Sequence, residues 1–154
     1  MSKRTKIKLT KAFSLDIRHA LYKYDGEPKD TYGPSVQLQI TVSGYPLVEP
    51  NHPKDGMVVD FIDLKNTIKE IIITPFNHAV ILNEKSHSGL KAHLKGIHEK
   101  IIEVPFQPTC ENILLYFVEL LQDTFKEMPN VELARLRLYE TVSSYVEWNY
   151  ETEK

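Results

Sequence analysis

The sequence predicts an α+β domain in which two strands, two helices and two further strands follow one another. Three observations lead to this prediction: apolar and polar residues alternate near both ends of the chain, apolar residues recur at helical spacing in two central segments, and Pro or Gly separates the segments. Grouped strands of this kind form an antiparallel sheet. We expect one domain over residues 1–154, with four strands (ββααββ) and both helices on one face.

The composition excludes several classes of protein. Hydrophobic residues make up 42% of the 154 residues, which is enough for a buried core. The formal net charge of −2 argues against nucleic acid as a partner. No apolar run approaches the roughly 18 residues of a membrane span, and the N-terminus lacks the apolar part of a secretory signal. We therefore expect a cytoplasmic protein without a membrane partner, and the single cysteine, Cys110, excludes an intramolecular disulfide.

The first two strands are predicted from alternation. Residues 7–19 carry apolar side chains at every second position, and only Lys11 interrupts this pattern. Residues 36–43 alternate apolar with polar side chains. Residues 24–34 between them are rich in Gly, Pro and Asp, which is typical of turns. We therefore expect an antiparallel hairpin with a long connecting loop.

Two helices are predicted in the central part of the chain. The first begins near Asp60 or Asp63, either of which can cap its first turn, and it ends at Pro75. The second begins after Thr109, a suitable N-cap, and carries Glu111 in its first turn. The second helix has a broad apolar stripe, formed by Ile113, Leu114, Phe117, Leu120, Leu121 and Phe125.

A polar stretch, residues 83–100, separates the helices and contains His87, His93 and His98. His93 and His98 are five residues apart, which does not match the i, i+4 spacing that places two ligands on one helix face. We interpret the three histidines as solvated loop residues and not as a metal cluster. Two alternating segments near the end of the chain predict the second antiparallel pair of strands.

Four segments, in this order, resemble the motifs of one enzyme family. They are DGMVVDFIDLKNTI, PFNHAVILNE, PTCENILLYFVELLQ and RLRLYET, which are similar to the GMVxDFxxLK, LDHxxLN, PTxEN and terminal ET motifs of the 6-pyruvoyltetrahydropterin and 6-carboxytetrahydropterin synthases. FSLDIRHALY and VQLQITVSG also fit, so the resemblance covers nearly the whole chain. It implies the tunnelling fold (T-fold) and a homo-oligomer, usually a hexamer built from two trimers. In such an assembly the sheets close into barrels and the active sites lie between subunits.

The resemblance implies three ligand-binding residues. Glu140 matches the glutamate that anchors the pterin, whose ring edge offers two adjacent N–H donors to one carboxylate. The alternative is a strand-end glutamate held by a local cation. Thr109 and Glu111 match the PTxEN motif, where free backbone N–H groups at a helix N-terminus can serve the acceptor atoms of the ring. Simple helix capping is the alternative for these two positions.

His78 matches the catalytic histidine of the family, which pairs with an aspartate and moves protons at the substrate side chain. Asn77 stands at the position of that aspartate. An asparagine can hold the ring but cannot stabilise an imidazolium by charge, so we expect a weakened catalytic histidine. The alternative is a histidine at a helix end that packs against the next subunit.

The zinc ligands of the family are absent at the expected positions. Counting from Phe13, the three histidine positions are occupied by Ile17, Tyr32 and Pro34. A match shifted by two residues brings in His19, which keeps the same strand parity and is a weak candidate ligand. One histidine does not make a catalytic zinc site, which normally has three protein ligands. We therefore expect no cofactor.

The loop cysteine of the family is also missing. Some relatives use a glutamate in this loop, and Glu27 or Asp30 could take that role, although solvated acids are the simpler interpretation. Tyr24, Lys29 and Tyr32 could, with His78, supply acid–base groups.

We expect a divergent member of pterin-related metabolism that binds a pterin or related ring at a subunit interface, without zinc and with altered or lost lyase activity. One alternative is an active synthase that uses zinc and acts on 7,8-dihydroneopterin triphosphate. The other alternative is a non-catalytic interaction or regulatory subunit.

Overall fold

The computed structural model describes residues 4–20, 31–32, 35–86, 88–97 and 100–153. Seven strands within these residues form one sheet. Its strand order is β5-β4-β1-β3-β6-β7, and the short β2 pairs with β1. Its strands are β1 (Ile7–Ala20), β2 (Thr31–Tyr32), β3 (Ser35–Gly44), β4 (Ala79–Asn83), β5 (Lys100–Val104), β6 (Glu132–Thr141) and β7 (Ser144–Asn149).

The helices are α1 (Phe61–Ile68), α2 (Thr74–Phe76), α3 (Ser88–Ile97) and α4 (Cys110–Phe125), and a 3₁₀ turn, Tyr150–Glu153, follows the last strand. A π-helical turn, Lys69–Ile73, joins α1 to α2. Asp60 caps α1 by accepting a hydrogen bond from the Ile62 amide at 2.8 Å. The first helical segment therefore begins where the sequence predicts.

The α+β class is confirmed, but the predicted sheet of four strands is three strands short, because it lacks β2, β4 and β5. The expected antiparallel strands are present as β1, β3, β6 and β7, and β4 and β5 extend the sheet in parallel with β1. All five residues of β4 are buried, so this strand has no alternation of polarity to reveal it. The polar stretch between the two predicted helices is likewise not a loop, because it contains α3 and the start of β5.

Two further sequence predictions concern this region: the end of the first helix at Pro75, which is wrong, and the solvated histidines. The first helical segment continues past Pro75 to Phe76, since the π-helical turn lets the Thr74 amide bond to the carbonyl of Lys69. His93 lies exposed on α3, in agreement with a solvated histidine. His87 and His98 lie outside the described residues.

The main core lies between one face of the sheet and the helices α1 and α4. Leu38, Ile40, Leu64, Ile72 and Phe117 are among its fully buried side chains. A smaller cluster joins β4 to α3 and consists of Val80, Leu82 and Leu94. The central strands therefore have one covered face, and β4 is covered on both faces. Within the described ranges, no helix has both the length and the apolar character needed to cross a bilayer.

The close approach at the end of β3 generates a stability prediction. A Cβ atom at Gly44 would lie 2.1 Å from the carbonyl oxygen of Asn130 and 2.7 Å from Cγ1 of Val58. We expect Gly44→Ala to lower the free energy of unfolding by about 1–3 kcal/mol, because backbone must move to make room. Urea denaturation followed by the fluorescence of Trp148 measures this change.

Gly96→Ala is the matched control, since a Cβ atom at this helical glycine meets nothing within 4 Å. It should leave stability unchanged or raise it by roughly 0.5–1 kcal/mol. Equal denaturation midpoints for the two variants would contradict the steric explanation.

Candidate functional site

Three elements converge at one edge of the sheet. β1 and β6 both pair antiparallel with β3, so they run in the same direction and end at the same edge. The N-terminus of α4 lies at this edge too, because one ligand atom from each of His19, Cys110 and Glu140 lies within 4.8 Å of the others. The fold thus brings together residues that are far apart in the sequence.

Glu140 occupies a bulge in β6. Tyr139 pairs with Tyr145 and Thr141 pairs with Ser144, so Glu140 is the extra residue on its strand. Bulges redirect side chains and are frequent beside active sites. Glu140 is exposed, and among the described residues no lysine or arginine forms a salt bridge with it. The described part of the chain therefore offers no local cation to explain this carboxylate.

Thr109 caps α4. Its hydroxyl oxygen accepts a hydrogen bond from the Asn112 amide at 3.2 Å, so the capping role predicted for it is confirmed. The amides of Cys110 and Glu111 belong to the first turn, where no carbonyl of the helix can accept from them. Capping is therefore compatible with a ligand at this helix end. Glu111 is exposed, and its charge acts on both His19 and Cys110.

Burial controls the protonation of the two inner side chains. It raises the pKa of the Cys110 thiol to about 12, and the charges of Glu140 and Glu111 add to this effect. Burial lowers the pKa of His19, against the opposing effects of Glu140 and of a hydrogen bond with the backbone of Pro108. Near neutral pH the cluster therefore holds a neutral thiol and a neutral imidazole beside a carboxylate.

His78 has a carboxylate partner that the sequence does not reveal. Nδ1 of His78 lies 2.9 Å from Oδ2 of Asp16, a residue of β1. The side chain of Asn77 bonds to the backbone and not to the ring, since its Oδ1 accepts a hydrogen bond from the Asp16 amide at 2.8 Å. The His78 amide in turn donates to the Asp16 carbonyl oxygen. The expectation that Asn77 leaves His78 without a charged partner is therefore wrong.

The backbone of His78 is unusual. Its φ of 65° lies in the left-handed region, which few residues other than Gly and Asn adopt. This conformation lets the chain leave α2 and enter β4 while the ring reaches Asp16. The side chains of His78 and Asp16 are 72% and 43% exposed, so the pair is accessible to a ligand or to another subunit.

The Asp16–His78 pair and the His19 cluster lie on different faces of β1. Asp16 and His19 are three residues apart on one strand, so their side chains point to opposite sides. A groove of about 400 Å³ lies on the side of the sheet opposite the main core, and its lining includes Ser14, Gln37, Gln39, Tyr139, Glu140 and Thr141. A single chain therefore does not bring His78 next to Cys110.

The three family zinc positions do not fit a zinc ion. Ile17 is an apolar side chain buried in the core, and Tyr32 stands opposite His19 in the pairing of β1 with β2. Pro34 lies outside the described residues, as do Tyr24, Glu27, Lys29 and Asp30. None of the three residues at these positions offers the imidazole nitrogen of a zinc-binding histidine.

Sequence reasoning missed two residues of this region. Cys110 stands next to Thr109 in the PTxEN segment, but nothing local indicates that it meets His19. Asp16 is 62 residues from His78 in the sequence and only the fold joins them.

Comparison with known proteins shows the family of the chain. The model of the family described as 6-pyruvoyl tetrahydropterin synthase matches residues 8–151. The chain is 32% identical over 143 residues to a 6-carboxy-5,6,7,8-tetrahydropterin synthase of Haemophilus influenzae, which covers 92% of this chain and 97% of that protein. A synthase of the same name from Rickettsia typhi is 29% identical over 142 residues, with 92% and 99% covered.

Solved structures share the fold at lower identity. A protein of Wolinella succinogenes superposes with a TM-score of 0.70 at 17% identity, over 95% of this chain and 99% of that one. The 6-pyruvoyl tetrahydropterin synthase of Caenorhabditis elegans gives a TM-score of 0.65 at 16% identity, with 97% and 99% covered.

The Asp16–His78 contact predicts the tautomer of the ring. A carboxylate at Nδ1 accepts a hydrogen bond from it, so the neutral ring should carry its proton on Nδ1 and leave Nε2 as the acceptor. Long-range ¹H–¹⁵N NMR at mildly alkaline pH measures the position of this proton. Asp16→Asn should shift the ring toward the other tautomer, whereas Asp63→Asn, at an exposed acid elsewhere, should not. An unchanged tautomer in Asp16→Asn would show that the contact does not orient the ring.

Proposed function

The chain belongs to the 6-pyruvoyl tetrahydropterin synthase family, and on this premise we propose that it binds a pterin or a related ring at Glu140. The observation that supports this proposal is the convergence of the Glu140 bulge with the N-terminus of α4. Within the described ranges, no lysine or arginine forms a salt bridge with this exposed carboxylate, which stands beside the first amides of α4.

The chemistry of a pterin ring matches these groups. Its edge carries two adjacent N–H donors, and a carboxylate accepts both in a bidentate, charge-assisted contact. The amides of Cys110 and Glu111 offer donors to the acceptor atoms of the ring. The carboxylate and the amides together would bind both the donor and the acceptor atoms of one planar ligand.

We place the complete site between subunits of a homo-oligomer, a hexamer of two trimers. Within one chain the Asp16–His78 pair and the His19 cluster lie on different faces of β1, and a second copy would bring groups of both kinds to one ligand. The sheet face opposite the main core carries exposed polar side chains, and β7 is an open edge strand. Closure of neighbouring sheets into a barrel would remove that edge.

We propose that zinc is not bound through the family histidine positions and that the lyase reaction is altered or lost. A second candidate function, an active synthase acting on 7,8-dihydroneopterin triphosphate, is favoured by the Asp16–His78 pair. An imidazole held by a carboxylate can take and return a proton, which contributes typically 10²–10⁴-fold to a rate. This pair supplies the charge that Asn77 cannot supply.

The binding proposal is tested with Glu140→Gln. The amide keeps the size of the side chain but loses the charge and one acceptor, so the dissociation constant for a dihydropterin should rise by about 10- to 100-fold. Isothermal titration calorimetry measures this constant. Glu119→Gln, at an exposed position of α4, is the matched control and should bind like the wild type. Equal affinity of the two variants, or no pterin affinity in the wild type, would support the non-catalytic interaction subunit instead.

Turnover separates the binder from the synthase. If 7,8-dihydroneopterin triphosphate is converted, Asp16→Asn should lower kcat by roughly 10²-fold while the dissociation constant for the pterin stays within about twofold. The consumption of substrate by the wild type, followed by chromatography, is the measurement. A wild-type protein that binds the pterin without converting this substrate would rule out the active synthase but would still agree with the binding proposal.

A further inference from the structure

Three side chains with different metal-binding chemistry meet at the edge of the sheet. One ligand atom from each of His19, Cys110 and Glu140 lies within 4.8 Å of the other two. They come from β1, the first residue of α4 and the bulge of β6, so no local motif brings them together. We propose that these three residues bind a zinc ion at a site distinct from the three family histidine positions.

The donor set selects the metal. Zinc binds thiolate, imidazole and carboxylate ligands, and catalytic zinc sites use three protein ligands with a fourth position left open. Calcium and magnesium prefer oxygen ligands only, which a thiol and an imidazole do not provide. Ligand atoms bound tetrahedrally at about 2.0–2.3 Å from a zinc ion lie roughly 3.3–3.8 Å from one another, so a spread of up to 4.8 Å must contract by about 1 Å when the ion binds.

The surroundings of His19 resemble those of a metal ligand. The side chain is 5% exposed, and the ring makes a hydrogen bond with the backbone of Pro108. Proline has no amide hydrogen, so the carbonyl oxygen accepts from one ring nitrogen. Metal-bound histidines usually donate their second nitrogen to a carbonyl or carboxylate in this way, which fixes the orientation of the ring.

Charge balance also favours a cation here. Binding releases the thiol proton to solvent, so the ligands become one thiolate, one carboxylate and one neutral imidazole. Their two negative charges match the charge of the ion. Glu111, whose charge already acts on His19 and Cys110, adds a further negative charge close by.

This inference does not rest on the proposed pterin binding, although the two share Glu140. A zinc ion would occupy the carboxylate that the ring requires. We therefore expect zinc to weaken pterin binding by the wild type and to have no such effect on Cys110→Ala.

The test uses the full chain after removal of metals by a chelator. Titration with zinc, followed by calorimetry, should give one ion per chain. Titration with cobalt(II) should give a sulfur-to-cobalt charge-transfer band, which reports the bond to Cys110 directly. Cys110→Ala and His19→Gln should lower the zinc affinity by roughly 10²-fold or more. His93→Gln, at an exposed histidine of α3, is the matched control and should keep the wild-type affinity.

Two results would overturn the zinc site: cobalt binding without the charge-transfer band, or equal zinc affinity in the wild type and Cys110→Ala. The conservative variant Cys110→Ser is titrated in the same way, and circular dichroism of each variant excludes loss of the fold as the cause of weaker zinc binding. Pterin affinity measured on Cys110→Ala keeps the two proposals apart. Loss of zinc with retained pterin binding supports both, whereas zinc binding by a wild type without pterin affinity removes only the proposed function.

Discussion

The pairing of β1 on both of its sides is the interaction on which the rest of the structure depends. Its first ten residues form an antiparallel ladder with β3, and its last four pair in parallel with β4. One strand thus joins the antiparallel half of the sheet to the parallel half. Because side chains alternate along it, the same strand sends Leu15 and Ile17 into the core, Asp16 to the open face and His19 to the edge where α4 begins.

Elements whose apolar and polar residues recur with a regular period could be predicted from the sequence, and the other elements and contacts could not. The antiparallel strands alternate, and α4 has a cap and an apolar stripe, so pattern alone locates them. β4 is buried on both faces and carries no period. Asp16 meets His78, and His19 meets Cys110, only through long-range pairing. Strand parity is visible in a sequence, but which two strands end together is a property of the fold.

The residues that hold the sheet together and the residues that meet at its end are largely different. The long ladders of β1 with β3 and of β3 with β6 lie away from His19 and Glu140. Cys110 likewise stands beside His19 without disturbing α4, whose cap is the neighbouring Thr109. Fold and site chemistry are therefore separable in this chain.

The left-handed conformation of His78 has a thermodynamic consequence. A residue with a Cβ atom held at a φ of 65° costs roughly 1–2 kcal/mol compared with glycine. Glycine at this position would relieve the backbone strain but would also remove the contact between the ring and Asp16. Backbone strain and the Asp16–His78 contact therefore have opposite effects on stability at the junction of α2 and β4.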